Sequence, residues 1–259
     1  MANFDSRSVS LITQIAEDFV RLGVRPGGVL LVHSSLRSLE LGSDIVNKPE
    51  LVILALIEAL GVEGTLLMPA LSYDYVGTHQ PIFDVLRTPS CVGAIPEAFR
   101  TRNGTLRSVH PTHSVSGGGL RAAELLAGHA ADHTPCGPNS PFSRLPQVDG
   151  QVLFLGCGMR PNTSMHAIEE HIEPAYLYSV DKDYLIILPD GSRTGMRVRS
   201  HGFRNWEQRY ERLEGLLPDG LHKGRVLQAQ CHLVESAAMW RAALAALGQN
   251  PLFFVEQSQ

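Results

Sequence analysis

The chain has 259 residues, of which 44% are hydrophobic and 19% charged, as in an ordinary globular protein. There are 22 Lys and Arg residues against 26 Asp and Glu, and the formal net charge of -4 predicts no general attraction to nucleic acid or to an anionic membrane. The length suits one α/β unit with a smaller appended lobe, so we expect a single domain over residues 1–259.

The cysteines and the first residues of the chain indicate in which cellular compartment the protein is expected. Cys91, Cys136, Cys157 and Cys231 form no C-x-x-C pair and no short ladder of metal ligands. Scattered thiols in a chain of this length are typical of reduced packing residues. The first five residues, MANFD, do not begin a secretion signal, and no apolar run approaches the roughly 20 residues that span a bilayer. We therefore expect a cytoplasmic protein.

The first part of the chain alternates helical and strand patterns. Continuous apolar runs are typical of strands that are buried on both faces, and they follow segments with helical spacing of apolar residues. The alternation predicts a layered α/β fold. Predicted helices cover residues 8–22, ending at Gly23, and 49–60, and predicted strands cover 28–33, followed by Ser34 and Ser35, and 64–69.

The pattern becomes less regular after residue 71. One helix is predicted in residues 72–119, over 95–102, and polar loops cover 110–119 and 133–142. Long loops between core elements are often functional. Further on, the pattern predicts a strand over 151–155, a helix over 163–171, antiparallel strands within 176–200 joined at Asp190-Gly191, an amphipathic helix over 229–247 and a strand over 252–255.

The segment NTSMHAIEEH, residues 162–171, has the strongest chemical pattern. A polar cluster that can cap a helix places His166 in the first helical turn, where the helix dipole disfavours the imidazolium form. Glu169 and Glu170 follow by three and four residues, so both share a face with His166. A carboxylate beside a histidine can orient it as a general base. A histidine on a solvated, charged face is the competing interpretation.

A metal site is not expected. His166 and His171 are five residues apart, which places them about 140° apart around a helix, whereas helical zinc pairs need a spacing of four. The 11 histidines keep a metal-dependent hydrolase as an alternative.

Two further clusters suit a cofactor. Ser34, Ser35 and Arg37 follow the first predicted strand, where hydroxyls and free N–H groups can hold phosphate or amide groups. The loop 110–119 offers histidine, serine and glycine backbone. Ordinary tight turns are the competing interpretation of both. The chain has no G-x-S-x-G elbow and no Walker A sequence, and Pro161 replaces the third glycine of a dinucleotide fingerprint.

Six segments, taken in order, resemble the aminoglycoside 3-N-acetyltransferase family. They span residues from about 28 to 171, and the tail GRVLQAQCHLVESA resembles the family's closing helix. The segments are LLVHSSLRSLE, EGTLLMPALSYD, FDVLRTPSCVGAIPEAFR, SVHPTHSVSGGG, CGPNSPFSRL and VLFLGCGMRPNTSMHAIEE.

The resemblance implies a fold, a reaction and two substrates. The fold would be a layered α/β/α arrangement with a central mixed sheet and a smaller appended lobe, distinct from the common GNAT acetyltransferase fold. Acetyl-CoA would be the cosubstrate and no metal would take part. The acceptor would be the 3-amine of the 2-deoxystreptamine ring of an aminoglycoside antibiotic, and its acetylation would confer resistance.

The resemblance also implies roles for residues. His166 would deprotonate the accepting amine, assisted by Glu169, and the amine would attack the thioester directly. The expected CoA-binding residues are Ser34, Ser35, Leu36, Arg37, His113, Ser114, Val115 and Phe142. The expected acceptor-binding residues are Tyr73, Asp74, Asp84 and Glu170, whose acidic members would suit a polycation. A homodimer is possible.

The segment after His166 departs from the family's usual pattern. A leucine-rich run with a single carboxylate is typical there, whereas this chain has Glu169, Glu170 and Glu173. The additional charges favour, as an alternative, an acetyltransferase of the same fold that acts on a different primary amine. A binding module that has lost the chemistry is a third possibility.

Overall fold

The computed structural model describes residues 4–258. The α-helices are α1 (Ser6–Leu22), α2 (Lys48–Leu60), α3 (Ala94–Thr101), α4 (Ala122–Ala127), α5 (Pro141–Arg144), α6 (Ser164–Ile172) and α7 (Ser236–Gln249). Short 3-10 helices cover Leu36–Leu39, His129–Ala131, Leu145–Val148 and Tyr210–Leu216. No helix in this described part of the chain is both long and apolar enough to cross a membrane.

The strands form a large mixed sheet and two small sheets. They are β1 (Val29–Ser34), β2 (Thr65–Pro69), β3 (Ile82–Asp84), β4 (Leu106–Arg107), β5 (Val115–Gly119), β6 (Gln151–Leu155), β7 (Tyr178–Ile187), β8 (Arg193–His201), β9 (Trp206–Gln208), β10 (Leu221–Val226), β11 (Ala229–Glu235) and β12 (Val255–Gln257). The large sheet has the order β10-β11-β6-β1-β2-β5-β4. Its three middle strands, β6, β1 and β2, are parallel, and the outer strands pair antiparallel.

Helices cover both faces of the large sheet. Successive side chains of a strand point to opposite faces, so Leu30 of β1 joins the core cluster formed with α1 and α2, whereas Leu31 joins the cluster formed with α6 and α7. Burial on both faces explains why this strand is a continuous apolar run. The layered α/β/α fold with a central mixed sheet is therefore confirmed.

The appended lobe is built on the three-stranded sheet β3-β7-β8. Strands β7 and β8 form the predicted antiparallel hairpin with its turn at Asp190-Gly191. Asp190 accepts a hydrogen bond from the N–H of Ser192 at 2.9 Å, and Gly191 has φ +83°. The hairpin has its own apolar cluster, and its far end carries His201.

The prediction of a continuous helix over 229–247 is wrong. Residues 229–235 form β11, and α7 begins only at Ser236. Ala229, Cys231 and Leu233 are buried whereas Gln230 is exposed, which is the period of two of a strand. The predicted strand over 252–255 is also displaced, because residues 251–254 form a turn and β12 starts at Val255.

The turn after β6 contains two glycines, Gly156 and Gly158, whose left-handed backbone conformation can be tested by substitution. Gly156 and Gly158 have φ +68° and +65°, but a Cβ on Gly156 would lie 2.6 Å from the Cβ of Ser38, whereas one on Gly158 would meet no described atom within 4 Å. Both alanine substitutions incur left-handed strain of about 1–2 kcal/mol. We expect Gly156→Ala to lower the free energy of unfolding by about 1–3 kcal/mol more than Gly158→Ala, because of the additional clash. Urea denaturation of the two variants measures the difference, and equal losses would contradict it.

Candidate active site

A cavity of about 680 Å³ lies at the carboxyl edge of the parallel strands. Ser34 at the end of β1, Pro69 at the end of β2 and Cys157 just after β6 all line it. Strand β5 runs antiparallel to β2, so the residues just before β5 reach the same edge, and His113 lines the cavity. Ligands commonly bind at this edge of an α/β sheet.

Helix α6 places His166 in the cavity. The helix starts at Ser164, so His166 lies in its first turn as predicted. Thr163 occupies the N-cap position but its side chain makes no capping hydrogen bond, so the expected side-chain cap is not formed. The side chain of His166 is 16% exposed and lines the cavity wall.

Glu169 and two tyrosines form a buried network behind His166. The Glu169 side chain is fully buried, and its Oε2 lies 3.3 Å from Nδ1 of His166. The hydroxyl of Tyr210 lies 2.8 Å from the same Nδ1 and donates to Glu169 Oε2 at 2.7 Å. The hydroxyl of Tyr176 donates to Oε1 at 2.8 Å. Burial, followed by the charge of Glu169, raises the pKa of both phenols well above the ordinary value, so both stay protonated.

This network fixes the tautomer of His166. Because the single proton of the Tyr210 hydroxyl is directed to Glu169, the phenol oxygen accepts from Nδ1–H of His166. The proton of the neutral ring is thereby assigned to Nδ1, and Nε2 has no hydrogen-bond partner among residues 4–258. Nε2 is therefore the atom that can accept a proton.

The second carboxylate, Glu170, has a different role from the one expected. Its side chain is 5% exposed, accepts from the N–H of Cys136 at 2.8 Å and from Nε2 of His201 at 2.7 Å, and does not line the cavity. Burial raises the pKa of Glu170 to about 7. Glu169, and not Glu170, is thus the carboxylate in contact with His166.

His113 and His201 complete a group of three histidines. The ring centroids of His113 and His201 lie 6.1 and 5.0 Å from that of His166, and 5.2 Å from each other. Burial lowers the pKa of both His113 and His201 well below the ordinary value. Nδ1 of His110 accepts from the N–H groups of Thr112 and His113 at 3.3 and 2.9 Å, and this turn places His113 just before β5.

The expected CoA residues near β1 line a second, adjoining cavity of about 640 Å³. Ser34, Ser35, Leu36 and Arg37 all lie on its wall, and Ser34 is shared with the first cavity. Lys48, the first residue of α2, lies on the same wall, as does the start of α3. The second cavity therefore combines two cations with a helix N-terminus, next to the histidine cavity.

Three other expected CoA residues lie elsewhere. Ser114 is fully buried, donates to the carbonyl of Ala70 at 2.8 Å and accepts from Arg107. Val115 and Phe142 are fully buried in the apolar core. None of the three lines either cavity. Val115 of β5 and Phe142 of α5 point into the protein, where they pack with apolar side chains of the helices on this face of the sheet.

Of the expected acceptor residues, only Tyr73 lines the first cavity. Asp74, the residue after Tyr73, is exposed. Asp84 ends β3 in the appended lobe, where its Oδ1 accepts from the N–H groups of Leu86 and Arg87 at 2.9 Å and so holds a turn. With Glu170 turned to His201, the expected acidic wall is not found among the described residues of the cavity.

All four cysteines are free thiols. Cys157 alone among them lines the first cavity in the described chain. Burial raises its pKa to about 12, so the thiol stays protonated and is a poor nucleophile.

Sequence reasoning missed Tyr176, Tyr210, His201 and Lys48. Tyr210 and His201 lie 44 and 35 positions after His166, outside any motif, and only the tertiary fold brings them to α6. Lys48 carries a weak local signal, since it directly precedes the helix predicted over 49–60.

The comparisons with known proteins agree with each other. A family model described as aminoglycoside 3-N-acetyltransferase matches residues 31–248. Aminoglycoside N(3)-acetyltransferase IV of Salmonella sp is 34% identical over 256 residues, which are 97% of this chain and 91% of the relative. A solved structure, an AAC(3)-IVa mutant in complex with apramycin, has a TM-score of 0.74 at 30% identity, over 98% of this chain and 96% of that one. The binary complex of AAC-IIIb with CoASH shares the fold, with a TM-score of 0.79 at 24% identity over 96% and 98% of the two chains.

The tautomer of His166 can be measured directly. We expect Nδ1–H to dominate in the neutral ring, and Tyr210→Phe to reduce that population because the nearer acceptor, 2.8 Å from Nδ1, is lost and only the 3.3 Å contact with Glu169 Oε2 remains. Tyr176→Phe is the matched control, since Tyr176 bonds the other oxygen of Glu169 and not His166. Long-range proton–nitrogen NMR correlation at alkaline pH distinguishes the tautomers. An unchanged spectrum in Tyr210→Phe would contradict the assignment.

Proposed function

This chain belongs to the aminoglycoside 3-N-acetyltransferase family, and on that premise we propose that it transfers an acetyl group from acetyl-CoA to the 3-amine of the 2-deoxystreptamine ring of aminoglycosides. Such a transfer removes a cationic amine from the antibiotic and confers resistance to it. The observation that carries the proposal is the bare Nε2 of His166, which faces the cavity and is backed by Tyr210 and Glu169.

His166 supplies what the reaction needs. An amine attacks a thioester only through its lone pair, so a proton must be accepted as the bond forms. In the proposed step the amine nitrogen bonds to the acetyl carbonyl carbon, the carbon–sulfur bond breaks, and the amine proton passes to Nε2 of His166. CoA leaves as the thiolate and takes up a proton. The buried carboxylate of Glu169, reached directly and through Tyr210, stabilises the imidazolium that is formed.

The second cavity suits the CoA. Arg37 and Lys48 offer two cations for its phosphates, and Gly93 and Ala94 at the start of α3 line the same space. Ser34 lies on both cavity walls, and its buried Oγ has no hydrogen-bond partner among residues 4–258. A thioester arm passing Ser34 would connect the phosphate end with His166, and the amide groups of that arm would satisfy the serine.

Direct transfer between the two substrates fits the site better than an acetyl-enzyme. The thiol of Cys157, the cavity's own candidate nucleophile, is held protonated by burial. A direct mechanism needs only the base, and His166 provides it.

The alternative of a different amine acceptor loses its sequence support. It rested on the additional carboxylates after Glu169, yet Glu170 is buried against Cys136 and His201, and Glu173 lies 3.7 Å from Arg199 of the lobe. Neither Glu170 nor Glu173 lines the cavity. The binding-module alternative is likewise disfavoured, because the complete network behind His166 is present.

The base assignment is tested by His166→Ala. We expect turnover to fall at least about a hundredfold, the scale of a lost general base, while CoA still binds. His171→Ala is the matched control, because His171 lies exposed on the same helix and outside the cavity. The measurement is CoA release with a thiol-reactive dye, in parallel with calorimetric CoA binding.

The same assay tests the acceptor. The panel contains several aminoglycosides and one compound whose 3-amine is already blocked. Release with the unblocked compounds alone supports the proposed position of transfer. Unchanged turnover in His166→Ala contradicts the base assignment, and release with the blocked compound contradicts the position.

The CoA site is tested by Arg37→Ala. Loss of a charge-assisted contact to phosphate is expected to raise KM for acetyl-CoA about tenfold, with kcat and the acceptor KM little changed. Arg225→Ala serves as the control, since Arg225 is an exposed arginine on β10, away from both cavities. Steady-state kinetics at saturating acceptor give the three constants. An unchanged KM for acetyl-CoA in Arg37→Ala would place the phosphates elsewhere.

A further inference from the structure

The three histidines of the cavity are arranged as a metal site would be. Each of His113, His166 and His201 offers one ring nitrogen, and these three atoms lie within 4.8 Å of one another. The side chains come from three separate elements: the turn before β5, the first turn of α6 and the end of β8. Sequence spacing cannot predict such a cluster, because it compares only residues on one helix, such as His166 and His171.

Each of the three rings has one nitrogen without a hydrogen-bond partner among the described residues. Nδ1 of His201 is buried and makes no hydrogen bond to any described residue, although the His201 side chain is only 6% exposed. Nε2 of His166 is likewise bare, and His113 uses only its Nδ1 within residues 4–258. A buried polar atom without a partner is costly, so Nδ1 of His201 favours a ligand, and the bare Nε2 atoms of the other two rings are available to share it.

The outward nitrogens are held in the way that the ligands of a zinc ion are held. Nε2 of His201 lies 2.7 Å from Oε1 of the buried Glu170, and the ionised form of Glu170 accepts from Nε2–H and leaves the lone pair of His201 on Nδ1. Nδ1 of His166 is bonded to Tyr210, and Nδ1 of His113 lies 2.9 Å from Oγ1 of Thr112. Metal-bound histidines almost always give their other nitrogen to a carboxylate, a carbonyl or another oxygen in this manner.

The donor set selects the kind of metal. Three imidazoles with no carboxylate among the donor atoms suit Zn²⁺, Co²⁺, Ni²⁺ or Cu²⁺, and not Mg²⁺ or Ca²⁺, which prefer oxygen. Zinc bound by three protein ligands keeps a fourth, open position, and here that position would face the cavity.

We infer that His113, His166 and His201 bind one divalent transition-metal ion of the Zn²⁺ class, and that the bound ion blocks acetyl transfer because it occupies Nε2 of His166. The inhibitory part rests on the proposed function. The binding part does not, since it follows from the three nitrogens alone.

Binding is tested without any turnover. Zn²⁺ is titrated into chelator-treated protein by isothermal calorimetry, and Co²⁺ serves as a second probe whose visible absorption reports four-coordinate geometry. We expect one ion per chain, and at least about a tenfold loss of affinity in His201→Ala and in His113→Ala. His171→Ala, which removes the other histidine of α6, is expected to bind Zn²⁺ as the wild type does. Circular dichroism verifies that the variants are folded.

Inhibition is tested on the wild-type enzyme, so it does not depend on a variant's folding. CoA release is expected to fall with Zn²⁺ over the concentration range of calorimetric binding, and to return when EDTA is added. Absence of binding tighter than about 100 μM, or equal affinity in His201→Ala and wild type, overturns the site. Binding at the site with no loss of turnover overturns the inhibition. If no acceptor is turned over at all, the proposed function fails while the calorimetric result still decides the metal site.

Discussion

The carboxylate of Glu169 is fully buried, and an isolated anion in such a place would lose several kcal/mol of solvation free energy. Tyr176 and Tyr210 offset that loss, because each phenol donates to one carboxylate oxygen. The two tyrosines come from the segment before β7 and from the 3-10 helix after β9, so this one charge connects three parts of the chain. The same contacts orient His166, so a change in the packing of those segments would also change the position of His166.

The cavity draws on both the large sheet and the appended lobe. The sheet edge supplies His166 and His113, because a helix leaves that edge after β6 and β5 enters it. The hairpin of the lobe supplies His201 from its far end, and Glu170 of α6 holds that ring at 2.7 Å. Glu170, one of the additional carboxylates of this segment, thus joins the lobe to α6.

The central strands and the contact of His166 with Glu169 could be predicted from the sequence because their signals are local. A strand buried on both faces is a continuous apolar run, and a histidine three residues before a carboxylate lies within one helical turn of it. Strand β11 was misassigned because its alternation is short and runs directly into the apolar residues of α7. Tyr210 and His201 could not be predicted, since nothing near them in sequence distinguishes them from other tyrosines and histidines. The burial of Phe142 and Val115 could not be predicted either, because a motif segment does not show which of its side chains point into the core.

The features that would make His166 a base would also make it a metal ligand. Both roles need a neutral ring with Nδ1–H held and Nε2 bare, so the donor atoms cannot favour one role over the other. Spacing can. Tetrahedral zinc would bring three nitrogens to about 3.4 Å from one another, from Zn–N bonds of about 2.05 Å, whereas the cavity holds them within 4.8 Å. The hydrogen bonds of His201 to Glu170 and of His113 to Thr112 oppose the closing rotation of those two rings. The affinity of the proposed metal site therefore depends on how easily these two hydrogen bonds break. The proposed base function of His166 needs neither ring to move.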